Sequence, residues 1–276
     1  MPEAIKNIVW CEELSTMQRI HFLNTKIDNL TMVEALQEID GLISEGFCRY
    51  IVTPNLDHIV MLERDAAFAE AYQNADLILA DGKPLLWISN WLRNPIREKI
   101  SGSDLFPRMC EMAAQKGYKV FLLGAEKGVA DKAAENLKKK YAGLHVVGTY
   151  APTFGFETDP EEMAHIQSMI IAAKPDILGV ALGSPKAEKF IYTHLQDFQV
   201  PLSISIGATL DFESGNARRA PKWMSNMGFE WLFRIMQDPK RMTKRYVRDA
   251  VYILPIIHKY KYQKYENTDR LDLTGR

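Results

Sequence analysis

Three observations on this 276-residue chain predict an α/β fold followed by a helical C-terminal appendage. From about residue 30 to 206, short apolar runs alternate with amphipathic stretches, the pattern of a mostly parallel sheet with helices on both faces. Glycine, proline, aspartate and asparagine bound those runs, which marks them as strands. After about residue 212 no strong strand pattern follows, and basic and aromatic residues crowd together. Residues 1–212 are therefore expected to form one α/β domain and 213–276 a basic, aromatic, helical appendage.

The expected strands are 50–53, 77–80, 119–123, 145–147, 177–181 and 202–206. They are apolar along their length, as strands covered on both faces are. In 31–44, Met32, Val33, Ala35, Leu36, Ile39, Leu42 and Ile43 recur at helical spacing behind Thr31 as N-cap. Similar patterns occupy 127–141 and 159–173, and Ser184-Pro185 reads as a helix start for 186–195 with proline at the first position. Two further helices are expected over 221–237 and 239–262. This order of elements makes the sheet Rossmann-like.

Composition excludes several classes. With 47% hydrophobic and 25% charged residues the chain is globular, and it is long enough to fold without disulfide or metal staples. Cys11, Cys48 and Cys110 have neither disulfide-framework nor zinc spacing, and free thiols suit a reducing compartment. The N-terminal stretch lacks the basic and apolar regions of a secretory leader, and no apolar run approaches the ~18–20 residues of a spanning helix. The net charge of −1 conceals a polarised chain: residues 216–262 hold 11 basic and 3 acidic side chains, a net of +8, against −9 elsewhere. Such asymmetry points to an anionic partner, either nucleic acid or a membrane surface.

Parallel sheets bind ligands beyond the carboxyl ends of their strands. The turns there are Thr53-Pro54-Asn55-Leu56-Asp57-His58, Asp81-Gly82-Lys83-Pro84, Gly124-Ala125-Glu126-Lys127-Gly128, Gly183-Ser184-Pro185-Lys186-Ala187-Glu188 and Gly207-Ala208-Thr209-Leu210-Asp211. Glycines in such turns let backbone N–H groups approach a phosphate, and 124–128 is the best candidate, equally readable as an ordinary glycine turn. Asp81, directly after an apolar run, reads either as an acid/base group or as the N-cap of a helix over 82–91. Asp57 and His58 lack a third ligand at metal spacing, so no metal is expected. Asp211 reads most simply as a cap or turn residue, and Arg218-Arg219-Ala220-Pro221-Lys222-Trp223 as a basic linker.

Several stretches together resemble the WecG/TagA/CpsF glycosyltransferases, glycosyltransferase family 26. They are TPNLDHIV from Thr53, ADG around Asp81, SGSDL from Ser101, VFLLGAEKGVA from Val120, ALGSPKAEKFI from Ala181, and the long block from Ile206 to Tyr246. The resemblance implies an inverting, metal-independent transfer of a sugar, typically N-acetylmannosamine, from a UDP-sugar to an undecaprenyl-diphosphate-linked saccharide. Products of that kind feed teichoic acid or exopolysaccharide synthesis. It implies Asp81 as the catalytic base and Thr53 and Asn55 beside it. It further implies appendage arginines, drawn from Arg234, Arg241 and Arg245, that cover the site and dock on anionic membrane. Lys99, Gly124, Gly183, Lys186, Glu188 and Asp211 complete the expected substrate-binding set. A cytoplasmic protein held peripherally at the inner face of the bacterial plasma membrane, forming a homo-oligomer and binding no nucleic acid, is the corresponding expectation. Two positions depart from the family pattern: Ala187 stands where glutamine is usual, and Lys99 where arginine is usual, which keeps charge but loses the bidentate fork. Another UDP-hexose donor, or an inactive scaffold, is the alternative these departures raise. A nicotinamide-dependent oxidoreductase, the rival on a similar sheet, would need a GxGxxG turn that the chain lacks.

Overall fold

A computed structural model describes residues 18–273, except for the side chains of 222, 226 and 262–273. Cys11 and the N-terminal stretch read above for a leader lie outside the described residues. The first element is a hairpin that the sequence pattern did not disclose: β1 (Arg19–Phe22) pairs antiparallel with β2 (Thr25–Asp28). Its turn places Leu23 at φ 49° and lacks the glycine that signals most two-residue turns. Arg19 forks onto Asp28 at 2.6 and 2.8 Å, and Asp28 accepts from the Ile78 N–H at 2.7 Å. The hairpin is thereby stitched to the short outer strand β4 (Leu77–Ile78).

The main sheet is parallel throughout, in the order β4-β3-β8-β7-β5-β6, with β3 (Arg49–Val52), β5 (Lys119–Gly124), β6 (His145–Tyr150), β7 (Ile177–Ala181) and β8 (Leu202–Ser205). All six expected strands are present; only their limits move. Successive side chains alternate between two cores, as the pleat requires. Ile51, Val120 and Leu122 join Ile39 of α1 (Met32–Glu45), Phe106 of α5 (Gly102–Lys116) and Leu137 of α6 (Val129–Lys140). Tyr50, Phe121 and Leu123 join Ile59 of α2 (Leu56–Leu62), Phe68 of α3 (Ala66–Gln73), Ile170 of α7 (Pro160–Ala173) and Phe190 of α8 (Lys186–Phe198). Thr31 caps α1 in a capping box with Glu34, whose carboxylate accepts from the Thr31 N–H at 2.7 Å. Pro185 is the N-cap of α8 rather than its first residue. The crossovers diverge at β5 and β7: β5 leads outward to β6, whereas β7 leads back to β8, which opens a crevice between their carboxyl ends.

The remaining helices pack at that same end of the sheet. α4 (Lys83–Trp91) follows β4, and α9 (Thr209–Ser214) follows β8. The stretch expected as one helix over 221–237 is two, α10 (Lys222–Met227) and α11 (Glu230–Gln237). They break at Gly228, whose φ of 83° is left-handed and where an added Cβ would lie 2.7 Å from the Trp87 ring. α12 (Pro239–Leu273) then runs along α2, burying Ile253, Ile256 and Ile257 in the core on that face. Among the described residues, no helix is long and apolar enough to cross a membrane.

Candidate active site

A cavity of about 360 Å³ lies where the turns after β3 and β4 meet α11 and α12. Each wall has a local cause. Backbone bonds extend the β4 path past the strand itself: Asp81 N–H donates to the Pro54 carbonyl at 2.8 Å, and Ile100 N–H to the Ala80 carbonyl at 2.8 Å. Gly82, at φ 107°, then turns the chain into α4 as its N-cap without any side-chain capping bond. The helix-cap reading of Asp81 is therefore corrected: its carboxylate is left to the cavity. Removal from water raises its pKa to about 6, against the pull of Lys99 and Arg234; Glu230 and Asp104 add to the rise.

The cations are held by carboxylates of their own. Lys99 Nζ lies 2.7 Å from Asp104 Oδ2, and Asp104 also takes Arg219 and the Ser101 hydroxyl. Burial pushes the Asp104 carboxyl up, but the bonds from Lys99 and Ser101 prevail and bring it to about 2. Arg234 donates to Glu230 Oε1 at 2.8 Å, and the Ser225 hydroxyl donates to Glu230 Oε2 at 3.1 Å. On the α12 wall Arg245 meets Asp57 Oδ2 at 2.9 Å, Arg248 also pairs with Asp57, and the buried Asp249 lies against both arginines. Among the described residues, buried Arg245 Nε has no hydrogen-bond acceptor. Trp231 and Tyr246 close the cavity edge to face, with centroids 6.2 Å apart.

Of the residues singled out from the sequence, Asp81, Asn55, Lys99, Arg234 and Arg245 border this cavity. Asn55 also caps α2 through Oδ1, which accepts from the His58 N–H at 3.2 Å. Thr53 is buried below, where α5 begins; a Cβ on Gly102 would sit 3.5 Å from its hydroxyl. Glu188 is buried against Ser205, whose hydroxyl donates to Oε1 at 3.0 Å, while Oε2 has no hydrogen-bond partner among the described residues. Five residues stand apart from the cavity. Gly124 and Gly183 flank the β5–β7 crevice, and a Cβ on Gly124 would meet the Ala181 carbonyl at 2.4 Å. Lys186 pairs with Glu157 and lies over the Phe154 and Phe156 rings. Asp211 lies half-buried on α9, its pKa raised by burial and by Glu126. Arg241 is exposed and pairs with Asp238 at 2.8 Å. His58 is structural: its Nδ1 bonds the Tyr72 hydroxyl at 2.7 Å, and burial lowers its pKa.

Sequence reasoning missed Glu230, Ser225, Trp231, Tyr246 and Asp249. The only local signal was the Glu230-to-Arg234 spacing of four, which on a helix brings the pair together. The arrangement joins a carboxylate poised near neutrality to cations able to balance an anionic leaving group, the elements of a displacement at a phosphate-activated centre.

Comparison with known proteins agrees. The family model "Glycosyl transferase WecG/TagA/CpsF family" matches residues 20–267. A Bacillus subtilis N-acetylglucosaminyldiphosphoundecaprenol N-acetyl-beta-D-mannosaminyltransferase is 28% identical over 91% of this chain and 94% of its own length. A Bacillus spizizenii protein of the same name is 32% identical over 71% of this chain and 74% of its own. A Staphylococcus aureus protein, again of that name, is 28% identical over 84% and 90%. With its parallel sheet, its strand-end carboxylate and this match across nearly its whole length, the chain belongs to the WecG/TagA/CpsF family of glycosyl transferases.

Proposed function

We propose that this protein transfers N-acetylmannosamine from a UDP-sugar to N-acetylglucosaminyl-diphosphoundecaprenol, with Asp81 as general base. The carrying observation is the uncapped Asp81 carboxylate, half-buried at a strand end and facing a cavity with Lys99, Arg234 and Arg245. Asp81 takes the proton of the acceptor hydroxyl, that oxygen forms the bond to the anomeric carbon from the face opposite UDP, and UDP departs with the bonding pair, inverting the centre. The cations offset the charge that grows on the diphosphate. The nucleotide lies toward the β5–β7 crevice, where the exposed Gly183 leaves the backbone open, while the buried Gly124 lets β5 close against the Ala181 carbonyl.

The C-terminal helices form an appendage that meets anionic lipid at the cytoplasmic face. Trp87 and Trp91 of α4, Trp223 of α10, Met236 of α11 and Leu254 of α12 are exposed beside a segment of net charge +8. Aromatic rings and basic side chains favour a membrane interface, each Lys or Arg contributing about 1 kcal/mol. The departure at Ala187 does not favour another UDP-hexose donor, because Ala187 is fully buried in the core and does not line the cavity.

The test is turnover with a synthetic N-acetylglucosaminyl-diphosphopolyprenol and a panel of UDP-sugars, with the product identified by mass. Product from UDP-N-acetylmannosamine alone supports the reading; product from another donor alone moves the assignment to that sugar. Undiminished turnover by Asp81→Asn removes the base assignment.

A further inference from the structure

Glu230 is an acid placed among the cations of the cavity, and nothing in the transfer as described uses it. It opens α11 at the first position, where Phe229 supplies no side-chain cap. Both of its oxygens are engaged, one by Arg234 at 2.8 Å and the other by Ser225 at 3.1 Å. Burial alone would raise its pKa, but Arg234, Lys99 and Ser225 outweigh that and hold it below the usual range, so it stays ionised at neutral pH.

We propose that Glu230 is a positioning residue of the active site, fixing Arg234 beside Asp81 and setting the balance of charge in which the Asp81 carboxylate works. The inference rests on the reading of Asp81 as the base and assigns the base's tuning to a residue of the C-terminal helices. The charges acting on Asp81 come from two directions, Lys99 and Asp104 from the loop and start of α5 and Glu230 with Arg234 from α11, while Lys83 of α4, Asp57 of α2 and Arg245 and Asp249 of α12 line the same cavity. Without a counter-charge, Lys99 and Arg234 would hold Asp81 as a strongly stabilised carboxylate, a poor proton acceptor. With Glu230 on Arg234, the guanidinium keeps its place in the cavity but part of its field is cancelled. The geometry also makes the tuning conditional: Arg234 and Glu230 arrive together on one turn of α11, so the base acquires both only when that helix is seated.

The experiment compares wild type, Glu230→Gln and Glu230→Asp. Two readouts are taken: the pH profile of kcat/KM, and the titration of the Asp81 carboxyl carbon by NMR, which needs no turnover. Removing one fixed negative charge should move the Asp81 titration and the acidic limb of the profile to lower pH by about half to one unit. Glu230→Asp, which keeps the charge, should return both toward wild type even where its kcat stays low because the shorter side chain holds Arg234 less well. Circular dichroism and a melting curve identify a variant that fails to fold, in which case Glu230→Asp alone decides by whether its Asp81 titration matches wild type. A Glu230→Gln protein that folds and loses rate while the Asp81 titration stays in place overturns the proposal, since Glu230 then serves α11 alone. Undiminished turnover by Asp81→Asn instead overturns the base reading, whatever Glu230 does to the titration.

Discussion

Substituting Asp57 by asparagine asks what holds α12 over the cavity, charge or packing. Asp57 is 8% exposed and receives both Arg245 and Arg248 across the α2–α12 boundary. The side chains of Arg245 and Arg248 are 31% and 44% exposed, so water screens much of the pair energy. The loss should fall between that of a surface pair, about 0–1 kcal/mol, and that of breaking a buried one, about 3–5 kcal/mol. A value of about 1–2 kcal/mol follows, eased because asparagine keeps an acceptor oxygen. Against it stand Ile253, Ile256 and Ile257, all under 10% exposed. Each contributes about 1.5–3 kcal/mol when fully buried, so together they exceed the ion cluster severalfold. Packing should win. Hydrogen exchange of the α12 amides is the assay: Asp57→Asn should speed it roughly tenfold, whereas Ile256→Ala, costing about 2–4 kcal/mol, should speed it by about 30-fold or more. Asp57→Asn should also raise KM, because Arg245 loses the carboxylate that orients it. Faster exchange in Asp57→Asn than in Ile256→Ala would refute this ordering and make the seat of α12 electrostatic.

Further outcomes follow from the same physics. Turnover should fall as pH drops through about 6, because the Asp81 carboxyl then takes up its proton and cannot accept another; a flat profile from pH 7 to 5 contradicts that. Asp104, held at about 2, should stabilise the fold above its ordinary pKa of 3.8 and lose that contribution as pH falls toward 2. Asp104→Asn should therefore cost about 1–2 kcal/mol by denaturant unfolding at pH 7 and progressively less below pH 4. Gly228→Ala should destabilise by about 1–3 kcal/mol, since it meets both a φ of 83° and the Trp87 ring; an unchanged melting temperature would show that the α10–α11 corner yields freely. Sedimentation with anionic vesicles should be lost at high salt and weakened by a Trp87→Ala, Trp91→Ala double variant, and equal binding to neutral vesicles would exclude a basic contribution.

The six sheet strands and the cap at Thr31 could be read from the chain because their causes are local. A strand buried on both faces must be apolar along its length, and a cap must stand next to the turn it closes. Asp81 was legible for the same reason, standing where an apolar run stops. The β1–β2 hairpin was hidden: its strands are four residues long, Leu23 occupies the position where glycine is usual, and its stability comes from Arg19 and Asp28 bonding to Asp76 and Ile78, some fifty residues on. The break at Gly228 was hidden too, because its cause is the indole of Trp87.

The sequence by itself determined the six strands of the main sheet, the polarised charge, and a carboxylate at a strand end. Only the tertiary structure decided that Asp81 is not a cap, that Glu230 and Asp249 join it in one cavity, and that Gly124, Gly183 and Lys186 lie elsewhere along the rim. The physical reason is range. Hydrophobic periodicity and capping act over one or two turns of chain, whereas the cavity is closed by residues from 55 to 250 whose meeting depends on how α11 and α12 pack across α2 and α4.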